Sequence, residues 1–194
     1  MQTLSSLSVM AIRKLHTERM QKDFPKEELK KLDLILNLRK RGRYSGYTAL
    51  EENEDIGYAF FTRDPCRNKL YLLDYYAIRE DLRNQGYGSK LLELFSEKFK
   101  ESTILLCEVE NPFLEEDPEK KAFMERRMDF YLRNGWWDTK VNAWMFKVEY
   151  RLLAAPVSKR VSPEKVADYY RLIYRNVVPS RRLKKNIKLR FAEE

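Results

Sequence analysis

Residues 71–92 read YLLDYYAIREDLRNQGYGSKLL, and this stretch decides the fold. The aromatic and aliphatic run that ends at Ile78 has the character of a buried strand. It leads into Arg83-Asn84-Gln85-Gly86-Tyr87-Gly88-Ser89, after which Leu91, Leu92, Phe95 and Phe99 recur with Gly88 at helical spacing. A helix that opens straight from such a turn leaves its first amides facing outward with partial positive charge, which suits a phosphate or pyrophosphate. Gly86 and Gly88 allow the main chain close to such a ligand without an intervening Cβ. Arg83 adds a fixed charge beside it.

The surrounding chain has 194 residues, 43% hydrophobic, 35% charged and 13% aromatic, enough for one domain with a real core and one appendage. No apolar run approaches the roughly 18 residues of a membrane span, and residues 1–16 are too weakly apolar for a signal peptide. Cys66 and Cys107 lack metal-type spacing, and the single histidine, His16, argues against a histidine metal site or triad. A reduced, cytoplasmic setting without a metal is the expectation. The formal charge of +8 is spread along the chain except in the tail Ser180 to Arg190. It reads as a basic surface with a pocket for an anionic ligand; nucleic acid is not expected as the main partner.

Val9 to Leu15 reads as a short strand and Pro25 to Lys40 as a helix stopped by Gly42. Tyr44 to Leu50 and Ile56 to Arg63 form a hairpin, and Lys69 to Ile78 the next strand. After the helix Gln85 to Lys100 comes a buried-type strand, Thr103 to Glu110, then the loop Asn111 to Glu116. Asp117-Pro118 is an N-cap with proline at the first helical position, and Gly135 sits where a left-handed C-terminal cap belongs. Two strand-like pieces follow to Leu153, and Ser162-Pro163-Glu164 starts a last helix to about Val177. The order predicts an α/β fold of the α+β type: a mixed, mostly antiparallel sheet flanked by helices, with one crossover at the glycine turn. Pro156 divides it into residues 1–155 and a helical extension, 156–194, expected to pack on the same domain; a homodimer contact is the alternative use of that helix.

The dinucleotide fingerprint Gly-x-Gly-x-x-Gly fails at Leu91, and Gly88-Ser89-Lys90 does not supply the ending of a nucleotide triphosphatase loop. Residues 78–92, with Arg83-x-x-Gly86-x-Gly88, instead resemble the pyrophosphate motif of the GNAT superfamily of N-acetyltransferases. Phe130-Tyr131-Leu132-Arg133-Asn134-Gly135-Trp136 resembles the second motif of that family, a helix ending Tyr-x-x-x-Gly-aromatic, with a strand between the two. The resemblance covers about Tyr44 to Tyr150.

That resemblance implies direct transfer of an acetyl group from acetyl-CoA, as co-substrate, to an amine. It assigns the pantetheine arm to the main chain of Tyr76, Ala77 and Ile78 and the pyrophosphate to the amides of Arg83, Asn84, Gln85, Gly86, Tyr87, Gly88 and Ser89. It makes Tyr131 the general acid for the leaving thiolate. The general-base position of the histone-modifying branch falls on Leu72, so that role does not transfer. Glu110, then Glu108 and Asp74, are the candidates. Period-two alternation puts Glu108 with Glu110 on one strand face, and Leu72, Asp74, Tyr76 and Ile78 on one face of theirs. The acidic stretch 108–117 flanks the acceptor side and points to a cationic small molecule or peptide. Two other readings are a non-catalytic acyl-CoA-binding module and a ribosome- or RNA-associated factor acting through the basic tail.

Overall fold

A computed structural model of the chain describes residues 2–64, 69–175, 177–178 and 186–192. Eight strands form one sheet: β1 (Gln2–Ser6), β2 (Tyr44–Glu51), β3 (Glu54–Arg63), β4 (Leu70–Ile78), β5 (Ile104–Glu110), β6 (Trp137–Met145), β7 (Val148–Ala154) and β8 (Ile187–Phe191). Their order is β1-β2-β3-β4-β5-β7-β6-β8, with every neighbouring pair antiparallel except β4 and β5. The parallel pair needs a crossover, and the helix that follows the glycine turn supplies it. The mixed, mostly antiparallel architecture expected from the sequence is the one observed.

Five helices cover the two faces: α1 (Val9–Leu15), α2 (Leu32–Lys40), α3 (Tyr87–Lys98), α4 (Pro118–Arg133) and α5 (Pro163–Arg175). Helices α3 and α4 cover one face through Leu91, Leu92, Phe95, Met128 and Tyr131, which pack on Ala59, Phe61, Leu73, Leu105, Cys107 and Val109. The other face is shared. Toward β1 it carries α1 and α2, around Tyr58, Phe60 and Tyr75. Toward β8 it carries α5, whose Val166, Ala167, Tyr170, Ile173 and Tyr174 lie on Leu70, Leu72, Leu106, Ala143 and Leu152. The three-and-four spacing of the α5 residues is a helical stripe, each large side chain contributing roughly 1.5–3 kcal/mol of burial.

Four elements differ from the sequence expectation. Val9 to Leu15 is helix, not strand: Ser8 caps it by accepting from the Ala11 amide at 3.1 Å, and Ile12 and Leu15, three apart, are its buried residues. The helical path continues through a π-helical segment, His16–Met20, to Asp23. The expected helix 25–40 begins only at Leu32. Residues before it are held out of helical geometry because the Lys30 amide donates to the Tyr75 hydroxyl at 2.8 Å, while that hydroxyl donates to the Glu28 carbonyl at 2.7 Å. Residues 187–191, expected within the helical extension, form an edge strand on β6, whereas 179–185 of the basic stretch lie outside the described residues.

The fourth difference decides the site. Phe60 pairs with Tyr75 and Phe61 with Leu73, so Asp74 is an extra residue, a β-bulge, in β4. Side-chain parity reverses there. Tyr71 and Leu73 face α3 and α4 before the bulge, and Tyr76 and Ile78 do so after it. Leu72 and Tyr75 face the opposite side. The four residues expected to share one face of β4 therefore do not: Leu72 and Asp74 lie on one side, Tyr76 and Ile78 on the other.

Candidate active site

Strands β4 and β5 pair only from Leu70–Leu73 to Ile104–Cys107. Beyond that they part, and among the described residues the β5-facing edge of β4 from Asp74 to Ile78 has no strand partner. Unpaired strand edges offer N–H and C=O groups to a ligand. A groove of about 790 Å³ opens there, lined by Tyr76, Ala77, Ile78, Arg83, Asn84, Gly86, Gly88, Ser89, Glu110 and Tyr131, among others. Ten of the fourteen residues singled out in the sequence thus line one groove.

The groove floor is the start of α3. Gly86 is its N-cap at φ 84°, a left-handed conformation that favours glycine, and no side chain caps the helix. The first-turn amides, which have no partner within a helix, are therefore left for a ligand at the groove. Gly88 serves packing instead: a Cβ there would meet the Phe130 ring at 3.1 Å and the Tyr76 hydroxyl at 3.4 Å. Arg83 is already engaged, donating to Asp23 at 2.8 Å and to the Ile78 carbonyl at 3.2 Å, which fixes its side chain across the turn. Two turn residues point elsewhere. Gln85 donates back to the Asp81 carbonyl at 2.7 Å, and the Tyr87 hydroxyl donates to Glu51 at 2.9 Å.

Tyr131 comes from the last turn of α4, which stops at Gly135, φ 80°. Its ring is wedged against Phe130 and Trp136, each at 5.3 Å between centroids. Burial, with the nearby Cys107, raises the pKa of its hydroxyl, so it stays protonated. Among the described residues that hydroxyl has no hydrogen-bond partner, and the residue lines the groove.

A second cavity, about 650 Å³, lies behind the parted strands on the α5 side. It meets the groove at Phe24, Glu28, Glu110 and Arg127, which line both. Of the three candidate bases, Glu110 alone stands at this junction, with Arg127 at 4.0 Å. Asp74 and Glu108 line the second cavity only. Asp74 accepts from Lys30 at 2.8 Å through one oxygen and from the Tyr44 hydroxyl through the other. Burial alone would lower the Lys30 pKa; the Asp74 charge and hydrogen bond, with Tyr75, outweigh it and hold the ammonium above its ordinary value. Burial raises Glu108 to about 7 against two opposing hydroxyl hydrogen bonds, from Tyr170 and from Tyr174 at 2.8 Å.

The sequence reading missed Glu28, Lys30, Tyr44 and Arg127. Burial pushes the Glu28 carboxyl up; Arg127 opposes this and the Glu110 charge adds to it. The acids of the string Glu27-Glu28 give no signal of their own, because they read as the polar face of a helix that does not form there.

A sheet whose strands part beside a glycine-opened helix, with a tyrosine from the next helix lining the opening, is the arrangement of an acetyltransferase fold. The acetyltransferase (GNAT) family model matches residues 9–130, and the chain belongs to that family. No curated protein sequence matches it. Solved structures share the fold. A GNAT-family protein from Bacteroides thetaiotaomicron, classed as an acetyltransferase, aligns at 23% identity and TM-score 0.68, covering 89% of this chain and 94% of that one. The ribosomal-protein-S18-alanine N-acetyltransferase from Escherichia coli aligns at 17% identity and TM-score 0.53, covering 82% and 96%. The spermidine N-acetyltransferase from Vibrio cholerae, solved with CoA and spermine, aligns at 10% identity and TM-score 0.59, covering 79% and 94%. At these identities they bear on fold alone.

Proposed function

We propose that this enzyme acetylates a cationic primary amine, taking acetyl-CoA in the groove and the amine in the second cavity. The observation that carries this reading is the meeting of the two cavities at Glu110 and Glu28, between the parted strands. Acetyl-CoA supplies the thioester acyl group. The open edge of Tyr76 to Ile78 suits its pantetheine amides, and the uncapped start of α3 with Arg83 suits its pyrophosphate.

An ammonium has no lone pair, so the acceptor must lose a proton before its nitrogen bonds the acyl carbon. Glu110, directly or through a water, takes that proton, a role worth roughly 10² to 10⁴ in rate. Asp74, with both oxygens already accepting hydrogen bonds, ranks below it. As the carbon–sulfur bond breaks, the electron pair stays on sulfur, and the free Tyr131 hydroxyl donates to it. A thiolate is a weaker base than a buried phenolate, so Tyr131 acts first as a hydrogen-bond donor to the developing charge. The products are the amide, the free thiol and one proton.

Glu27, Glu28, Glu108 and Glu110 outnumber Arg127 around the cavity once Lys30 and Asp74 are counted as a pair. This acidity favours a cationic acceptor. CoA release measured over a panel of polyamines, basic amino acids and basic peptides tests the reading. A preference for neutral or acidic acceptors refutes the substrate class, and acetyl-CoA binding without turnover of any amine refutes the activity.

A further inference from the structure

Resting on that placement of the acceptor, one carboxyl in the second cavity is still without a role. Glu108 lies two residues before Glu110 on the same face of β5, about 7 Å deeper by strand rise. It is set deep in the protein yet opens on the cavity. Tyr170 and Tyr174 both donate to its Oε1; among the described residues Oε2 has no partner. The nearby cation that could pair with it, Lys30, is committed to Asp74. A buried carboxylate with two donors on one oxygen and no counter-ion is costly for the protein alone. It becomes favourable when a ligand brings the cation.

We propose that Glu108 is the specificity-determining residue of the acceptor cavity and binds a second ammonium of a diamine-type acceptor, while the reacting nitrogen lies at Glu110. Apolar residues, among them Leu29, Met145 and Val148, line the same cavity and suit a hydrocarbon spacer. The spacing of the two carboxylates along β5 corresponds to a spacer of about four to six carbons.

The test compares CoA release with n-alkylamines and α,ω-diamines of stepped chain length, at saturating acetyl-CoA. Wild-type enzyme should favour the diamine over the monoamine of equal length by about tenfold or more in kcat/KM, with an optimum at an intermediate spacer. Glu108→Gln should bring that ratio near one through the KM of the diamine, its thermal transition showing that it folds. Glu108→Asp, one methylene shorter, should keep a diamine preference and move its optimum to a longer spacer. Turnover of both series by wild type at a ratio near one overturns the Glu108 assignment and leaves the acceptor cavity standing. Equal losses on both series in Glu108→Gln also overturn it, placing the residue in the chemistry. No turnover of any amine takes down both readings.

Discussion

Replacing Glu108 by glutamine should stabilise the protein, and only above mildly acidic pH. The carboxyl rises from 4.5 to about 7 in the folded chain, chiefly through burial. Below pH 4.5 it is protonated in both folded and unfolded states, and the site carries no penalty. Between 4.5 and about 7 the unfolded chain releases this proton while the folded chain holds it, so stability falls as pH rises. Above about 7 both states are ionised and the penalty is constant. The rise corresponds to about 3 kcal/mol at most, and water in the cavity screens part of it, leaving about 1 to 3 kcal/mol. Glutamine keeps a carbonyl for the Tyr170 and Tyr174 hydroxyls at nearly the same volume. At roughly 2–4 °C per kcal/mol for a chain of this size, Glu108→Gln should melt about 2 to 12 °C above wild type at pH 8. The margin should vanish toward pH 4.5. Paired thermal scans of both proteins across that range measure it. A packing change would give a constant offset, so a difference that stays flat or shrinks as pH rises refutes the buried, unpaired carboxyl.

Three further outcomes follow from the same geometry. Tyr131→Phe should lower kcat by about 10- to 100-fold with little change in the KM of acetyl-CoA or in thermal stability, because its hydroxyl has no partner among the described residues; unchanged turnover removes its role at sulfur. Glu110→Gln should lose about 10²-fold in kcat near neutral pH, with the loss shrinking as pH approaches the pKa of the amine and free base becomes available; a loss equal at every pH points away from proton removal. Lys30→Met should cost about 3 kcal/mol in chemical denaturation by leaving Asp74 without its cation, and adding Asp74→Asn should recover part of it; additive losses in the double variant refute the pairing.

The groove was legible in the sequence because its signals are local. A strand, Arg83, two glycines and a helix follow one another within a few turns, and Asp117, Pro118 and Gly135 mark the ends of α4 by rules that act over four residues. Even there the reasons differ: Gly86 is needed for its positive φ, whereas Gly88 is needed because Phe130 lies over it. The second cavity was poorly legible because its residues meet across long stretches of chain. Lys30 finds Asp74, Tyr44 finds the same carboxyl, and Tyr170 and Tyr174 reach Glu108 from the last helix. No periodicity announces such pairs. Strand alternation also misled at Asp74, since a bulge adds a residue without changing the composition of the run.

That single inserted residue accounts for much of the site. Were β4 regular past Leu73, Tyr76 and Ile78 would turn with Leu72 toward the α5 side, away from α3 and α4. With Asp74 extra, they face the groove instead, where Tyr76 donates to the Gly88 carbonyl at 2.6 Å and braces the start of α3. A charged residue at a bulge on a buried strand needs partners, and Lys30 and Tyr44 supply them. Lys30 in turn ends the segment carrying Phe24 and Glu28, the wall shared by the two cavities. The other end of that segment is held by Asp23 through Arg83 of the glycine turn. The wall between the groove and the second cavity is thus tied to the glycine turn at one end and to the second cavity at the other. A perturbation of the Lys30–Asp74 pair should therefore be felt in the kinetics of both substrates, even though neither residue lines the groove.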